Sequence, residues 1–263
     1  MHVEPAAKVL PRPLDRIVPT FVDDLRSTLG DQLVAVYVCG SAASGGFDPR
    51  LSDLDLVVVT ASTVDRLPFQ GFAGLIERLA RREPDWADRL DVDFVGRETL
   101  RTFRDGGGPF FEISHEEPLQ RHDRAEDWLE TWFLALDADW AVLGPPPSEV
   151  IAPISIDEFL DVLVDDVQRY VSVVRLDWRD DKIAYRLLTV CRLLLSLETR
   201  ALSSKVEGAE WAAGRYPQWA ASIRAASEVR AGKGTRSFTP EERALLQPTL
   251  EALAAEVVSR GSR

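Results

Sequence analysis

The sequence predicts an α/β (α+β) protein, with a small mixed sheet flanked by helices over residues 1–148 and an α-helical bundle over 149–263. Three observations predict it. Strand and helix patterns alternate through the first half. Gly144-Pro145-Pro146-Pro147-Ser148 then breaks the chain decisively. Beyond that break every apolar pattern has helical spacing. A chain of 263 residues is long enough for two ordinary domains.

Residues 21–29 carry a helical pattern that Gly30 stops. Residues 33–39 (LVAVYVC) form an apolar run rich in β-branched residues, which reads as a buried strand. A second strand covers 53–60. Over 72–82, Leu75, Ile76 and Leu79 fall at helical spacing. Residues 90–95 alternate with period two, so Leu90, Val92 and Phe94 share one face and Asp91 and Asp93 the other. Residues 105–109 (DGGGP) form a flexible loop. A long helix is expected over 125–143, carrying Trp128, Trp132 and Trp140. After the proline break, Ser155 with Glu158 three residues on is a capping box, opening a helix that runs toward Leu176. Residues 183–202 form another helix, with Leu187, Leu188, Leu194, Leu195 and Leu197 on its apolar side. Shorter helices follow around 208–213 and 218–231. The last opens at Thr239-Pro240-Glu241-Glu242, an N-cap followed by proline at the first helical position.

Hydrophobic residues make up 45% of the chain and charged residues 28%, the balance of a soluble globular protein. The longest apolar runs are too short to cross a bilayer. Residues 1–10 place no basic segment before an apolar core, so no signal peptide is expected. Cys39 and Cys191 lie far apart in apolar patterns, which reads as buried thiols in a reducing compartment. The expected location is the cytoplasm. The net charge of −12 disfavours a nucleic-acid partner, and no membrane partner is expected. It serves solubility, and an acidic pocket would suit a cationic substrate.

The chemistry concentrates early. A strand runs into Gly40-Ser41, and eleven residues later comes Asp53-Leu54-Asp55. A helix starting at Gly40-Ser41 would turn its backbone amides toward a phosphate, with Gly40 permitting close approach and the Ser41 hydroxyl donating. Asp53 and Asp55 are i and i+2 on a strand, so both carboxylates face one way. Two such groups repel unless a cation sits between them, and magnesium takes oxygen ligands that it shares with substrate phosphates. Asp91 and Asp93, from a neighbouring strand, offer a third carboxylate.

These residues resemble the nucleotidyltransferase superfamily that includes DNA polymerase beta. More closely, the chain is similar to the aminoglycoside adenylyltransferases that modify streptomycin and spectinomycin. The likeness runs nearly the length of the chain. Asp127 through Gly144-Pro145 matches a family spacing, Leu188-Thr189-Val190-Cys191-Arg192 a Leu-Thr-x-x-Arg helix motif, and Lys205 through Trp211-Ala212 a Lys-x-x-Ala-x-x-Trp-Ala-like motif with the small residue shifted at Gly208-Ala209. The resemblance implies an N-terminal nucleotidyltransferase domain and a C-terminal helical domain that closes on nucleotide and substrate. The implied reaction is Mg2+-dependent transfer of AMP from ATP to a substrate hydroxyl, releasing pyrophosphate. Asp53 and Asp55 would bind metal. Gly40, Ser41, Ser52, Asp127, Arg192 and Lys205 would contact the nucleotide. Without the resemblance, Arg192 reads as a partly solvated helix residue and Lys205 as a helix-end charge. The family's general base is a Glu on the third strand; that position is Asp91 here, with Asp93 on the same face in reserve.

The acceptor side departs from the family. Val173 and Trp178 stand where streptomycin-modifying members carry Trp and Asp, and Lys182 where they carry a further Asp. Ala184-Tyr185 replaces an Arg-Asn pair, and a nucleotide-side Tyr is replaced around Arg230. The expected acceptor is therefore a spectinomycin-like antibiotic rather than streptomycin, with Trp178, Asp181 and Tyr185 lining its site. The acidic stretch Asp177, Asp180, Asp181 would either receive a cationic substrate or simply begin a helix. A monomer acting on a small molecule is the simplest expectation. The alternatives are AMP addition to a protein, as in antitoxins, and a catalytically silent nucleotide-binding protein.

Overall fold

Four β-branched or aromatic-rich runs and two three-residue strands build a six-stranded sheet among the described residues, in the order β5-β4-β3-β2-β1-β6. The computed structural model describes residues 8–50, 52–67, 69–114, 118–175, 177–232 and 235–261. Residues 1–7, within the stretch read for a leader, lie outside them, as does Leu176. The chain divides into two units, Met1–Ile154 and Ser155–Arg263.

In the first unit, α1 (Leu14–Leu29) leads to β1 (Leu33–Val38) and the short α2 (Gly40–Ser44). Then come β2 (Leu54–Thr60), α3 (Phe69–Arg82) and β3 (Leu90–Gly96). β2 and β3 are parallel, and α3 is the crossover that such a pair requires. The remaining pairings are antiparallel. α4 (Arg97–Thr102) precedes the hairpin of β4 (Phe110–Ile113) and β5 (Gln120–His122). One sheet face carries Val36, Val38, Leu54, Leu56, Val58, Val92 and Phe94 into a core with Ile17, Phe21 and Leu25 of α1 and Phe72 and Leu75 of α3. Strand alternation then turns Tyr37, Asp55, Val57, Asp91, Asp93 and Glu112 to the opposite face.

The single helix expected over 125–143 is three elements. A 3₁₀ turn (Ala125–Trp128) precedes α5 (Leu129–Ala138), and Asp139 reverses the chain at φ +40°. β6 (Ala141–Leu143) then pairs with β1. Gly144, at φ +85°, lies against the Val34 carbonyl and Ala35, where a side chain has no room. After the prolines the chain stays stitched to the first unit. Val150 and Ile151 are buried, the Ala152 N–H donates to Leu100 O at 3.0 Å, and Arg104 donates to Pro153 O at 2.6 Å. The division thus falls after Ile154, where the sequence pattern alone suggests 148.

The second unit is helical: α6 (Ile156–Ser172), α7 (Asp180–Thr199), α8 (Lys205–Arg215), α9 (Ala220–Ala231) and α10 (Pro240–Gly261). Its core joins Phe159, Leu160, Ile183, Leu187, Leu194, Leu250 and Val257, each at most 2% exposed. Capping boxes open three of these helices: Ser155 with Glu158, Ser204 with Glu207, and Thr239 with Glu242. A Cβ on Gly208 would meet the Arg192 Cα at 2.5 Å, so this glycine lets α8 lie directly on the α7 backbone. Cys191 is buried under that packing, which pushes its thiol up to about 12.

Candidate active site

β1 delivers the chain through Cys39 to Gly40, whose φ is +60°. A Cβ there would collide with the Asp55 carboxylate, so only glycine lets the turn sit against that acid. The Cys39 N–H donates to Asp55 O at 3.2 Å and ties the turn to β2. Asp55 stands opposite Asp91, and Asp93 lies between Val57 on β2 and Glu112 on β4. Cross-strand neighbours share a face, so Asp55, Asp91, Asp93 and Glu112 form one acidic patch. Asp53, two residues before Asp55, is the last residue before β2 rather than part of it.

Glu112 meets His122 Nε2 at 2.7 Å, whereas Asp93 carries an unmet electrostatic demand. Asp93 is 2% exposed and its Oδ1 has no hydrogen-bond partner. Burial, then Asp91, Glu112 and Asp55, hold its carboxyl well above the usual range. The buried Cys39 thiol registers the same convergence. Burial raises it first, and Asp55, Asp93 and Asp91 add to the rise. Among the described residues no three His, Cys, Asp or Glu side chains stand ready to hold a metal ion alone. Magnesium needs no such cage, because it takes one or two protein carboxylates and completes its shell from phosphate and water. The carboxylate donors, the Gly40 turn against Asp55 and the partnerless Asp93 oxygen fit that ion.

The loop before Asp53 is pinned. The Ser52 Oγ accepts from the Asp48 N–H at 2.9 Å. Arg89 stacks on Trp86 at 4.1 Å and donates to the carbonyls of Pro49, at 3.0 Å, and Ser52. Burial lowers the Arg89 pKa, and Asp53 is the largest influence opposing that fall, which places the guanidinium beside this acid. Asp127 is exposed on the 3₁₀ turn after β5, ion-paired with Arg124 at 3.7 Å. The structure therefore gathers Gly40, Ser41, Asp55, Asp91 and Asp93, with Asp53 at the margin. It engages Ser52 and Asp127 with other partners.

In the second unit, Tyr185 of α7 is 40% exposed, with the Lys205 Nζ 4.1 Å and the Arg230 guanidinium 5.6 Å from its ring centroid. Lys205 is the first residue of α8, where its charge opposes the helix dipole, so it is not there to complement a helix end. Arg192 lies two turns along α7 from Tyr185, on the same side. Trp178 is half-buried before α7, with Arg186 held between its ring (5.8 Å) and that of Tyr170 (3.8 Å). The acidic stretch is already matched by arginines. Arg175 grips Asp177 at 2.9 and 2.8 Å, and Arg179 grips Asp181 at 3.0 and 2.6 Å. Asp180 takes Arg243 and, at 2.9 Å, the Phe238 N–H. Arginines thus already neutralise these acids around the start of α7. Sequence reasoning misses Glu112, Arg89 and the pairing of Arg230 with Tyr185. Only Glu112 leaves a signal, as the polar residue within an apolar run at 110–113.

The family models divide the chain in the same sense as this chemistry. Residues 18–122 match the nucleotidyltransferase domain, and residues 149–258 match the C-terminal domain of aminoglycoside adenylyltransferase. The chain thus joins a nucleotidyltransferase domain to a C-terminal domain of the aminoglycoside adenylyltransferase kind. It is thus an enzyme, a nucleotidyltransferase, whose reaction class is AMP transfer to an aminoglycoside-type substrate. Its fold is similar to that of spectinomycin adenyltransferase AAD(9) from Enterococcus faecialis, solved with ATP and spectinomycin. That match has a TM-score of 0.73 at 18% identity and covers 94% of this chain and 98% of the other. No curated protein sequence matches the chain. Among the described residues, no helix of this adenylyltransferase is long and apolar enough to cross a membrane.

Proposed function

We propose that this adenylyltransferase moves AMP from ATP to a hydroxyl of a spectinomycin-like aminocyclitol, releasing pyrophosphate. The observation that carries the reading is the acidic patch. Asp55, Asp91 and Asp93 share one face, Gly40 is pressed against Asp55, and Asp93 keeps a buried oxygen without a partner. Such a patch is costly unless it meets a positively charged group. Asp53 and Asp55 would hold magnesium, which when bound supplies charge neutralisation at the α-phosphate and the leaving group. Asp91 accepts the proton of the acceptor hydroxyl. The freed oxygen forms a bond to the α-phosphorus as the α–β anhydride bond breaks, and pyrophosphate leaves with those electrons. Asp93 sits beside Asp91 as the alternative proton acceptor.

Gly40, Ser41 and Ser52 would receive the phosphates, and Asp127, Arg192 and Lys205 complete the nucleotide contacts. Trp178, Asp181 and Tyr185 are assigned to the acceptor. Val173 and Lys182, where streptomycin-modifying relatives carry Trp and Asp, support spectinomycin over streptomycin. So do the arginines already bound to Asp177, Asp180 and Asp181, which leave that stretch poorly suited to a guanidinium-bearing ligand. The charge of −12 supports a small-molecule acceptor over nucleic acid, and we place the enzyme in the cytoplasm as a monomer. Purified enzyme with ATP, magnesium and either antibiotic is the test. Release of pyrophosphate and a mass increment of one AMP on spectinomycin are expected. Pyrophosphate release with streptomycin alone, or with neither, defeats the assignment.

A further inference from the structure

Glu112 ends the acidic patch on the β4 side. It stands opposite Asp93, and among the neighbouring charges that raise the Asp93 carboxyl it follows only Asp91. One of its oxygens is held on the side away from Asp93. Glu112 Oε2 lies 2.7 Å from Nε2 of His122 on β5, and β5 and β3 flank β4 on opposite sides. A carboxylate only accepts, so the imidazole donates from Nε2. The register explains how the two meet. Gln120 is directly opposite Glu112, and His122, two residues on, shares its face and lies diagonally across the β4–β5 ladder. The imidazole is in turn fixed by aromatic rings. It stacks on Phe110, its cross-strand partner, at 4.9 Å and 16°, and packs on Trp128 at 4.4 Å. Phe110 is fully buried and meets the buried Trp132 edge-on at 5.7 Å. The rings hold the donor, and the donor holds the acid. The His122 and Glu112 side chains are 23% and 15% exposed, so solvent screens the pair only in part.

The geometry points to His122 as a positioning residue for AMP transfer, acting through Glu112: it keeps that carboxylate turned toward β5 and takes up part of its charge, which holds it apart from the cation site beside Asp55 and Asp91. That the cation is magnesium serving AMP transfer rests on the reading above. Without the donor, the Glu112 carboxylate swings toward the cation site and adds its charge there. A more negative site binds a divalent cation more tightly. The extra charge also offsets the pull of that cation on the phosphate, so turnover falls.

The test is calorimetric titration of the full chain with Mn2+ alone, beside steady-state kinetics of AMP transfer. His122→Phe keeps a ring against Phe110 and Trp128 but cannot donate. It is expected to bind Mn2+ about fivefold more tightly than wild type. Its kcat should fall about tenfold, with the KM for ATP near wild type. His122→Gln, which offers an amide N–H to the same oxygen, recovers part of both changes. In the Glu112→Gln background the acid is gone, so adding His122→Phe should alter neither Mn2+ affinity nor kcat further. A histidine that only supports the fold gives the opposite metal result, weaker Mn2+ binding in His122→Phe whether or not Glu112 is present. Tighter Mn2+ binding that vanishes in the Glu112→Gln background supports the assignment even where no antibiotic accepts AMP. Unchanged or weaker Mn2+ binding by His122→Phe, an equal effect in both backgrounds, or no Mn2+ binding by the wild type overturns it even where AMP transfer is intact.

Discussion

The acidic face of the sheet and the cationic face of the helical unit solve opposite problems by opposite means. On the sheet, backbone register forces like charges together. Asp55, Asp91, Asp93 and Glu112 occupy adjacent positions on three hydrogen-bonded strands and cannot move apart. On the helices, aromatic side chains gather the charges, with Tyr185 holding Lys205 and Arg230. A strand site is therefore rigid, whereas a helix-surface site is adjustable. Asp55→Asn breaks the rigid face most completely. It removes a charge from the intended metal site, and several kcal/mol of transition-state stabilisation should go with it, an activity loss of about 10³-fold. Circular dichroism and melting should stay near wild type. Retained turnover in that variant removes the metal role of the sheet face.

The second test separates contact from conformation. Gly40 and Gly45 both sit at positive φ, +60° and +78°, so alanine at either costs roughly 1–2 kcal/mol of stability. They differ in what surrounds them. A Cβ on Gly40 meets the Asp55 carboxylate, and one on Gly45 meets nothing within 4 Å. A larger melting loss is expected in Gly40→Ala, which adds the clash to the backbone cost, and activity should fall about 10²-fold only there, since a misplacement near 1 Å costs that much. Equal activity in the two variants dissociates the Gly40 turn from the acid patch.

The rigid face was also the more legible one in the sequence. β1, β2 and β3 announce themselves by β-branched runs and period two, and the alternation of 90–95 puts Asp91 and Asp93 on one side without any tertiary knowledge. The register that sets Glu112 beside Asp93 depends on pairing between β3 and β4, which are separated by α4 and a glycine loop, and no local pattern reports it. β6 fails for the same reason. Trp128 and Trp132 extend a helical rhythm toward Trp140, but the chain reverses at Asp139 because Ala141 and Leu143 gain partners on β1. The helical face yielded Arg192 and Lys205 through motif likeness alone. Arg230, on α9, meets Tyr185 only through helix packing, which spacing along the chain does not encode.

A pH series sharpens the cost of the acid patch. Asp93 has its folded carboxyl raised well above the ordinary value, with burial the largest cause. The fold thus favours its protonated form. Its contribution to stability is present below the unfolded carboxylate range, about pH 4, and is lost as pH rises through the raised value. Asp93→Asn cannot ionise, so it escapes that loss. Relative to wild type, its metal-free melting temperature should improve steadily from about pH 5 to about pH 8. A constant difference across the series places the Asp93 charge outside the energetics of folding.

The smallest expected effect compares two helix caps within the helical unit. Ser155 and Ser204 make the same capping box, accepting from the Glu158 and Glu207 N–H groups at 3.1 and 3.2 Å. Replacing either serine by alanine should cost about 1 kcal/mol of stability. α6, opened by Ser155, carries no residue assigned to the nucleotide. α8, opened by Ser204, begins with Lys205 at the Tyr185 ring. A frayed first turn therefore loosens Lys205 and should raise the KM for ATP severalfold in Ser204→Ala, with the Ser155→Ala value unchanged. Because both variants lose the same hydrogen bond, the stability difference cancels. What remains in the KM is the share of nucleotide binding that depends on how firmly the start of α8 holds its lysine, and equal KM values would leave Lys205 outside the nucleotide site.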